Sequence, residues 1–386
     1  MRIITAGILF LLSFSLMGQK PMAILPFEVI NGHIYIQVSI DGSRPLRIAF
    51  DTGARANLLH EDIAKELGFE ITGRQQVDGA SETAIIELSG NHQMDLNGIK
   101  VDGESFLIMN LDHLGDEDQP MEGVIGGSIL DEFITEINFD ASEVRFYDRR
   151  SFKVPADFTA QRISLIPFRI PILTGTISLA NGTQLQGPFL VDTGAALALR
   201  LNRPLVISKD LQARIQPNYP YIARVLNTQS TDFIGRLPEF KVLGHEFQGF
   251  PIRMATSEGG VSGRSDIDGI IGLEILKRFN LIFNYREQQL YFQPSLLYDA
   301  FFLENFSGLN VKKKEGKLWV EEVVVNSPAF EAGIQKGDLI VSVDGRKNLS
   351  RSEFMEYVHP LRKDVKLEVI RGEQTNFVNI KPRKII

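Results

Sequence analysis

The sequence predicts a mostly β protein: one β-barrel lobe built twice about a pseudo-two-fold axis, followed by a small α+β domain. Three observations predict it. The tetrapeptide Asp-Thr-Gly-Ala occurs at residues 51–54 and again at 192–195, each time after a short apolar run. The surrounding segments are rich in β-branched and aromatic residues cut at short intervals by turn pairs. Beyond about residue 302 the composition changes and the duplication stops. At 386 residues the chain is also too long for one hydrophobic core.

Residues 1–18 read as an export signal. Arg2 precedes an apolar stretch over 3–17, and the small residue Gly18 stands near a plausible cleavage point. The stretch is short for a membrane span. A retained anchor is the alternative, and would then be the only membrane contact. The chain has no cysteine, which excludes disulfides, thiol catalysis and thiolate metal sites. Export without disulfides fits a bacterial periplasm or cell surface, with release to the medium as a further destination.

The first lobe is expected over residues 22–150. Ile34-Tyr35-Ile36-Gln37-Val38-Ser39-Ile40 reads as a strand ending at the turn pair Asp41-Gly42. Short helices are expected at 60–67 and 128–133, and a hairpin across Ala141-Ser142-Glu143. A polar linker over 151–162 leads to the second lobe, 163–294, closed by Pro294. Asp51 and Asp192 lie 141 residues apart, as do Ile24-Leu25-Pro26-Phe27 and Leu165-Ile166-Pro167-Phe168, so the stretch between reads as a gapless duplication. A second landmark, Val124-Ile125-Gly126, matches Ile270-Ile271-Gly272 at an offset of 146.

The last domain, 302–386, carries turn, helix-stop and hairpin signals at close spacing. They are Ser327-Pro328-Ala329, Ala332-Gly333-Ile334, Lys336-Gly337-Asp338 and Val343-Asp344-Gly345. The strand around Trp319, a helix over 352–361 and a final strand near 365–369 complete it. Lys312-Lys313-Lys314 reads as a solvated hairpin edge.

A net charge of −7 without a basic block gives no support to nucleic-acid binding. The six histidines show no metal-ligand spacing, so no metal and no other cofactor is expected, and each histidine reads as solvated or at a core edge. The chemistry that remains rests on two carboxylates. Side by side, two such groups cannot both ionise, so they share one proton and can act as base and acid on a water and an amide. Asp51 and Asp192 take those roles. Thr52 and Thr193 can bond across the axis, and Gly53 and Gly194 allow a tight backbone that brings amide donors near the carboxylates.

With both tetrapeptides and both second landmarks in place, residues 22–294 resemble the retropepsin-like aspartic peptidases, in a tandem single-chain form. The resemblance implies an endopeptidase acting on extended peptide or protein substrates. A peptide-binding scaffold that retains the fold without catalysis is the rival reading. Ala54 and Ala195 stand where a serine or threonine follows the motif in pepsins, and no tyrosine lies between Asp51 and Gly123. Both points favour the retropepsin-like branch and a dyad that holds its proton to milder pH. The flap is expected at Asp78, Gly79, Ala80 and Ser81 in lobe one and within 222–235 in lobe two. The last domain resembles a PDZ domain, which implies a bound peptide partner at the loop Ser307, Gly308 and Leu309. Only Gly308 remains there of the Gly-Leu-Gly-Phe pattern of that family.

Overall fold

A computed structural model of the chain describes residues 19–78, 83–112, 114–115, 117–166, 169–225, 228–358 and 364–386. The residues described form four sheets. Each lobe is one eight-stranded sheet closed on itself by an additional strand pairing, and a six-stranded sheet joins the two lobes from below. A five-stranded sheet forms the C-terminal domain.

The two Asp-Thr-Gly turns follow equivalent strands. In lobe one, Leu46–Phe50 runs parallel to Gly123–Ile125, with Phe50 beside Ile125. In lobe two, Gln184–Val191 runs parallel to Gly269–Ile271, with Val191 beside Ile271. The last three residues of each strand, Ile48, Ala49 and Phe50 in one and Phe189, Leu190 and Val191 in the other, are buried on both faces, which is why each turn follows an apolar run and not an alternating one. Burying a side chain such as Phe50 contributes about 1.5–3 kcal/mol.

The joining sheet carries the symmetry. Ile134–Asn138 of lobe one pairs antiparallel with Phe279–Asn284 of lobe two in the register Thr135↔Phe283, Glu136↔Ile282 and Ile137↔Leu281. Residues 136 and 282 are counterparts at the 146 offset, so the pseudo-two-fold axis passes through that pair.

This sheet corrects two sequence expectations. Ala23–Pro26 pairs with Glu143–Tyr147, and its structural counterpart in lobe two is Thr159–Arg162, which pairs with Gln289–Pro294. The likeness of 24–27 to 165–168 is therefore accidental; Ser164–Ile166 instead pairs with Ile170–Ser178. Lobe two is longer than lobe one both in the turn before its first long strand and in the hairpin that follows, so the duplication is not gapless. The end of the expected linker is likewise a strand of the joining sheet. Its exposed, polar composition hid it, because an edge strand buries little.

In the C-terminal domain the last strand is Gln374–Ile380, paired with Val365–Arg371. The sequence reading ended one strand early, because Gln374–Ile380 is largely exposed and polar. The turn motifs have local duties. Ser327 caps the helix Pro328–Glu331 by accepting from the Phe330 amide, and buried Asp338 holds the Gln335 amide and Arg371. Phe302 stacks on Phe250 at 4.7 Å between ring centroids, so the start of this expected domain packs on lobe two.

The C-terminal domain is fastened to the lobes. Lys313 Nζ pairs with Asp118 at 2.7 Å, and the Gly316 amide donates to Glu117. Lys313 is therefore a bridge, not a solvated edge residue. Arg351 and Ser352 bond to Asn31 of lobe one, and Arg236 of lobe two holds Glu304 and the Ile386 carbonyl.

Candidate active site

The two turns meet at the axis and lock each other. The Thr52 amide donates to Thr193 Oγ1 at 3.0 Å, and the Thr193 amide donates to Thr52 Oγ1 at 3.0 Å. Thr52 Oγ1 donates to the Val191 carbonyl at 2.8 Å, and Thr193 Oγ1 to the Phe50 carbonyl at 3.0 Å. Both threonines are almost fully buried, at 1% and 0% exposure. Each hydroxyl is thus used as donor and acceptor at once, and the four bonds obey the symmetry.

Asp51 and Asp192 stand half-buried above this lock, hydrogen-bonded to one another. The Gly53 amide donates to Asp51 Oδ1 at 2.7 Å and the Gly194 amide to Asp192 Oδ1 at 2.8 Å. The glycines have a further reason. A Cβ on Gly53 would lie 2.6 Å from the Asp192 carboxyl carbon, and one on Gly194 2.2 Å from an Asp51 oxygen. Glycine is needed here for the close approach of the opposite carboxylate, rather than for a left-handed backbone.

The second landmarks press on the same turns. The Asp51 amide donates to the Ile125 carbonyl and the Asp192 amide to that of Ile271. The Gly127 amide donates to the Ala54 carbonyl, and the Leu273 amide to that of Ala195. A Cβ on Gly126 would lie 1.9 Å from the Asp51 carbonyl oxygen. Ala54 packs with the apolar cluster around Tyr35, Leu107 and Val124, and Ala195 with that around Ile170, Leu190 and Ile270.

Electrostatics follow from this packing. Burial pushes the Asp192 carboxyl well above its ordinary value, and the Asp51 charge and hydrogen bond add to the rise. The amides of Gly194 and Ala195 oppose it. Asp192 therefore holds its proton into milder pH than an isolated carboxyl does.

Sequence reasoning missed one neighbour of the dyad. His33, expected from the sequence to be solvated or at a core edge, lies beside the Gly194 backbone and the Asp51 carboxylate. Burial lowers its proton affinity, Asp51 and the Gly194 backbone raise it, and Arg351 lowers it again. No local pattern marks such a residue, since its partners lie in other strands and another domain.

The flap candidates fall mostly outside the described residues. Asp78 ends the strand Ile71–Asp78, which forms a hairpin with Thr83–Leu96, while Gly79, Ala80 and Ser81 are not among those described. Lobe two has the matching hairpin of Asn218–Val225 and Thr228–Val242, whose tip is also outside them. Among the described residues no cluster of three or more histidine, aspartate or glutamate side chains is placed to hold a metal. No described helix is long and apolar enough to cross a membrane.

In the C-terminal domain, Ser307, Gly308 and Leu309 sit at the start of the edge strand Leu309–Lys314. The amides of Gly308 and Leu309 already have partners. Gly308 N donates to Asn305 Oδ1 at 2.8 Å and Leu309 N to Ser307 Oγ at 3.2 Å. On the strand itself, the Val311 carbonyl accepts from Arg351 Nε at 2.9 Å.

Comparison with known proteins agrees with this division. Residues 36–129 match the aspartyl protease family model, and residues 307–381 match the PDZ domain model. Over 69 residues the chain is 41% identical to serine protease HTRA3 of Rattus norvegicus and 39% identical to that of Homo sapiens. It spans only 15% of the length of these relatives and 18% of its own. Among solved structures, the aspartic proteinase from Irpex lacteus is similar at 14% identity and a TM-score of 0.46, covering 72% of this chain and 98% of that one. The chain carries a segment of the aspartyl protease family over residues 36–129 and, C-terminal to it, a PDZ domain over residues 307–381.

Proposed function

We propose that the protein is an aspartic endopeptidase that hydrolyses extended polypeptides with water activated by Asp51 and Asp192. One observation carries the reading: two carboxyls, hydrogen-bonded to each other, stand on turns that four symmetric hydrogen bonds hold rigid. With one proton between them, the ionised carboxylate takes a proton from water as the oxygen attacks the scissile carbonyl. The protonated partner, for which the high proton affinity of Asp192 suits it, donates to the carbonyl oxygen. As the C–N bond of the tetrahedral diol breaks, the departing amine takes a proton from one carboxyl while a diol hydroxyl returns its proton to the other, so the dyad again holds one shared proton. The two hairpins suit closure over a substrate strand.

The PDZ domain binds a peptide or protein partner, and the export signal directs the chain to a bacterial periplasm or cell surface. Because Asn305 and Ser307 occupy the Gly308 and Leu309 amides, strand addition to Leu309–Lys314 suits this domain better than capture of a terminal carboxylate.

The test is cleavage of a peptide library across pH by the purified protein beside Asp51→Asn and Asp192→Asn. Wild-type activity peaking at weakly acidic to near-neutral pH, lost in both variants, is expected. Activity surviving either substitution refutes the dyad, and a silent wild type turns the reading into a peptide-binding scaffold. Cell fractionation and N-terminal sequencing of the native protein check export; an uncleaved cytoplasmic chain would contradict it.

A further inference from the structure

The turn between Glu28–Ile30 and His33–Ile40 lies where both lobes and the PDZ domain meet. Gly32 has a φ of 81°, and a Cβ there would lie 2.6 Å from Ala196 Cβ, just past the lobe-two tetrapeptide. The turn is therefore seated directly on the opposite lobe. His33 packs its ring edge-on to Tyr35, with centroids 6.4 Å apart, beside Gly194 and Asp51. On the far side, Asn31 Oδ1 accepts from Arg351 Nη1 at 2.9 Å and from Ser352 Oγ at 3.2 Å. Both donors open the PDZ helix Arg351–Val358.

The duplication supplies an internal control. The registers Tyr35↔Ala49 and Ile172↔Leu190 place His33 opposite Ile170 in the two lobes. The fold therefore accepts an isoleucine at this position, and a histidine there is not needed to build the barrel. At the equivalent turn of lobe two the described residue Arg169 pairs instead with Asp131 of lobe one.

We propose that the PDZ domain is a working part of the catalytic site, with Arg351 and Ser352 fixing Asn31 so that His33 acts as a positioning residue for the Gly194 turn and Asp51. This rests on the peptidase reading above and extends it. The charged groups acting on His33 are Asp51 from the dyad and Arg351 from the PDZ helix. Burial opposes protonation of the imidazole and the cation from the PDZ domain adds to it, which works against an ion pair between the ring and the Asp51 carboxylate.

The experiment is steady-state kinetics of the full chain on a peptide that the wild type cleaves, with Asp51→Asn as the blank. His33→Ile, Asn31→Ala and Arg351→Ala should each lower kcat by about ten- to a hundredfold, the loss expected from misplacing a reacting group by up to about an ångström. KM should stay within about twofold, since ground-state binding is untouched. Asn31→Asp, which keeps an acceptor for Arg351 and Ser352, should retain activity. The losses in Asn31→Ala and Arg351→Ala should not multiply in the double variant, because one contact is broken in both. His33→Ile folds like lobe two, so its loss would not be one of folding. Wild-type kcat in His33→Ile, or in both Asn31→Ala and Arg351→Ala, overturns the proposal while leaving the peptidase reading intact. A wild type no more active than Asp51→Asn sinks both.

Discussion

Replacing Thr193 by valine tests the lock beneath the dyad with little change of shape. The valine methyl occupies the place of Oγ1, which accepts from the Thr52 amide and donates to the Phe50 carbonyl. Each of these bonds contributes about 1 kcal/mol net, and a buried amide left facing a methyl costs about 1–3 kcal/mol. With Thr193 fully buried, water cannot replace the hydroxyl. We expect a total loss of about 2–4 kcal/mol. Thr193→Ser keeps the hydroxyl and should lose under about 1 kcal/mol, the cost of one methyl. Guanidinium unfolding followed by fluorescence gives the shift in midpoint at constant slope. Thr52→Val should behave alike, because the symmetry gives it the matching pair of bonds. A loss below about 0.5 kcal/mol for Thr193→Val, the range of an ordinary surface change, would refute the argument that the lock holds the two turns together.

Three other outcomes follow from the same geometry. Tyr285 is buried and its hydroxyl has no hydrogen-bond partner among the described residues, while its lobe-one counterpart is Phe139; Tyr285→Phe should be neutral or stabilise by up to about 1 kcal/mol, read by thermal melting. Gly126→Ala would set a Cβ 1.9 Å from the Asp51 carbonyl oxygen, backbone against side chain with no flexible group to yield, and should cost about 1–3 kcal/mol or more and displace Asp51, seen as loss of both stability and cleavage. Asp192 holds its proton more tightly in the folded state than in the unfolded one, so its contribution is most favourable below 3.8 and falls as pH rises from there toward the raised folded value; Asp192→Asn should flatten that part of the stability–pH curve, and an unchanged slope would count against the burial argument.

Much of the site could be read in the chain because its signals are local. A tetrapeptide after an apolar run, an apolar-apolar-glycine landmark and a change of composition each lie within a few residues. The same local reading failed where burial was slight. Thr159–Arg162 and Gln374–Ile380 are edge strands with exposed, polar side chains, so nothing in their composition sets them apart from linker. The likeness of 24–27 to 165–168 misled for the opposite reason: two short apolar segments before a turn resemble each other whatever they pair with.

By itself the sequence determined that one lobe occurs twice, that two carboxylates sit on equivalent turns and that a separate small domain follows. Those are properties of segments, written in periodicity and turn chemistry. Only the tertiary structure decided what surrounds the carboxylates. It decided that Gly53 and Gly194 make room for the opposite acid, that His33 lies beside Asp51, and that Arg351, 320 residues from Asn31, steadies the turn between them. Contacts across such separations depend on how finished surfaces pack against each other, and a residue's near neighbours in the chain carry no record of them.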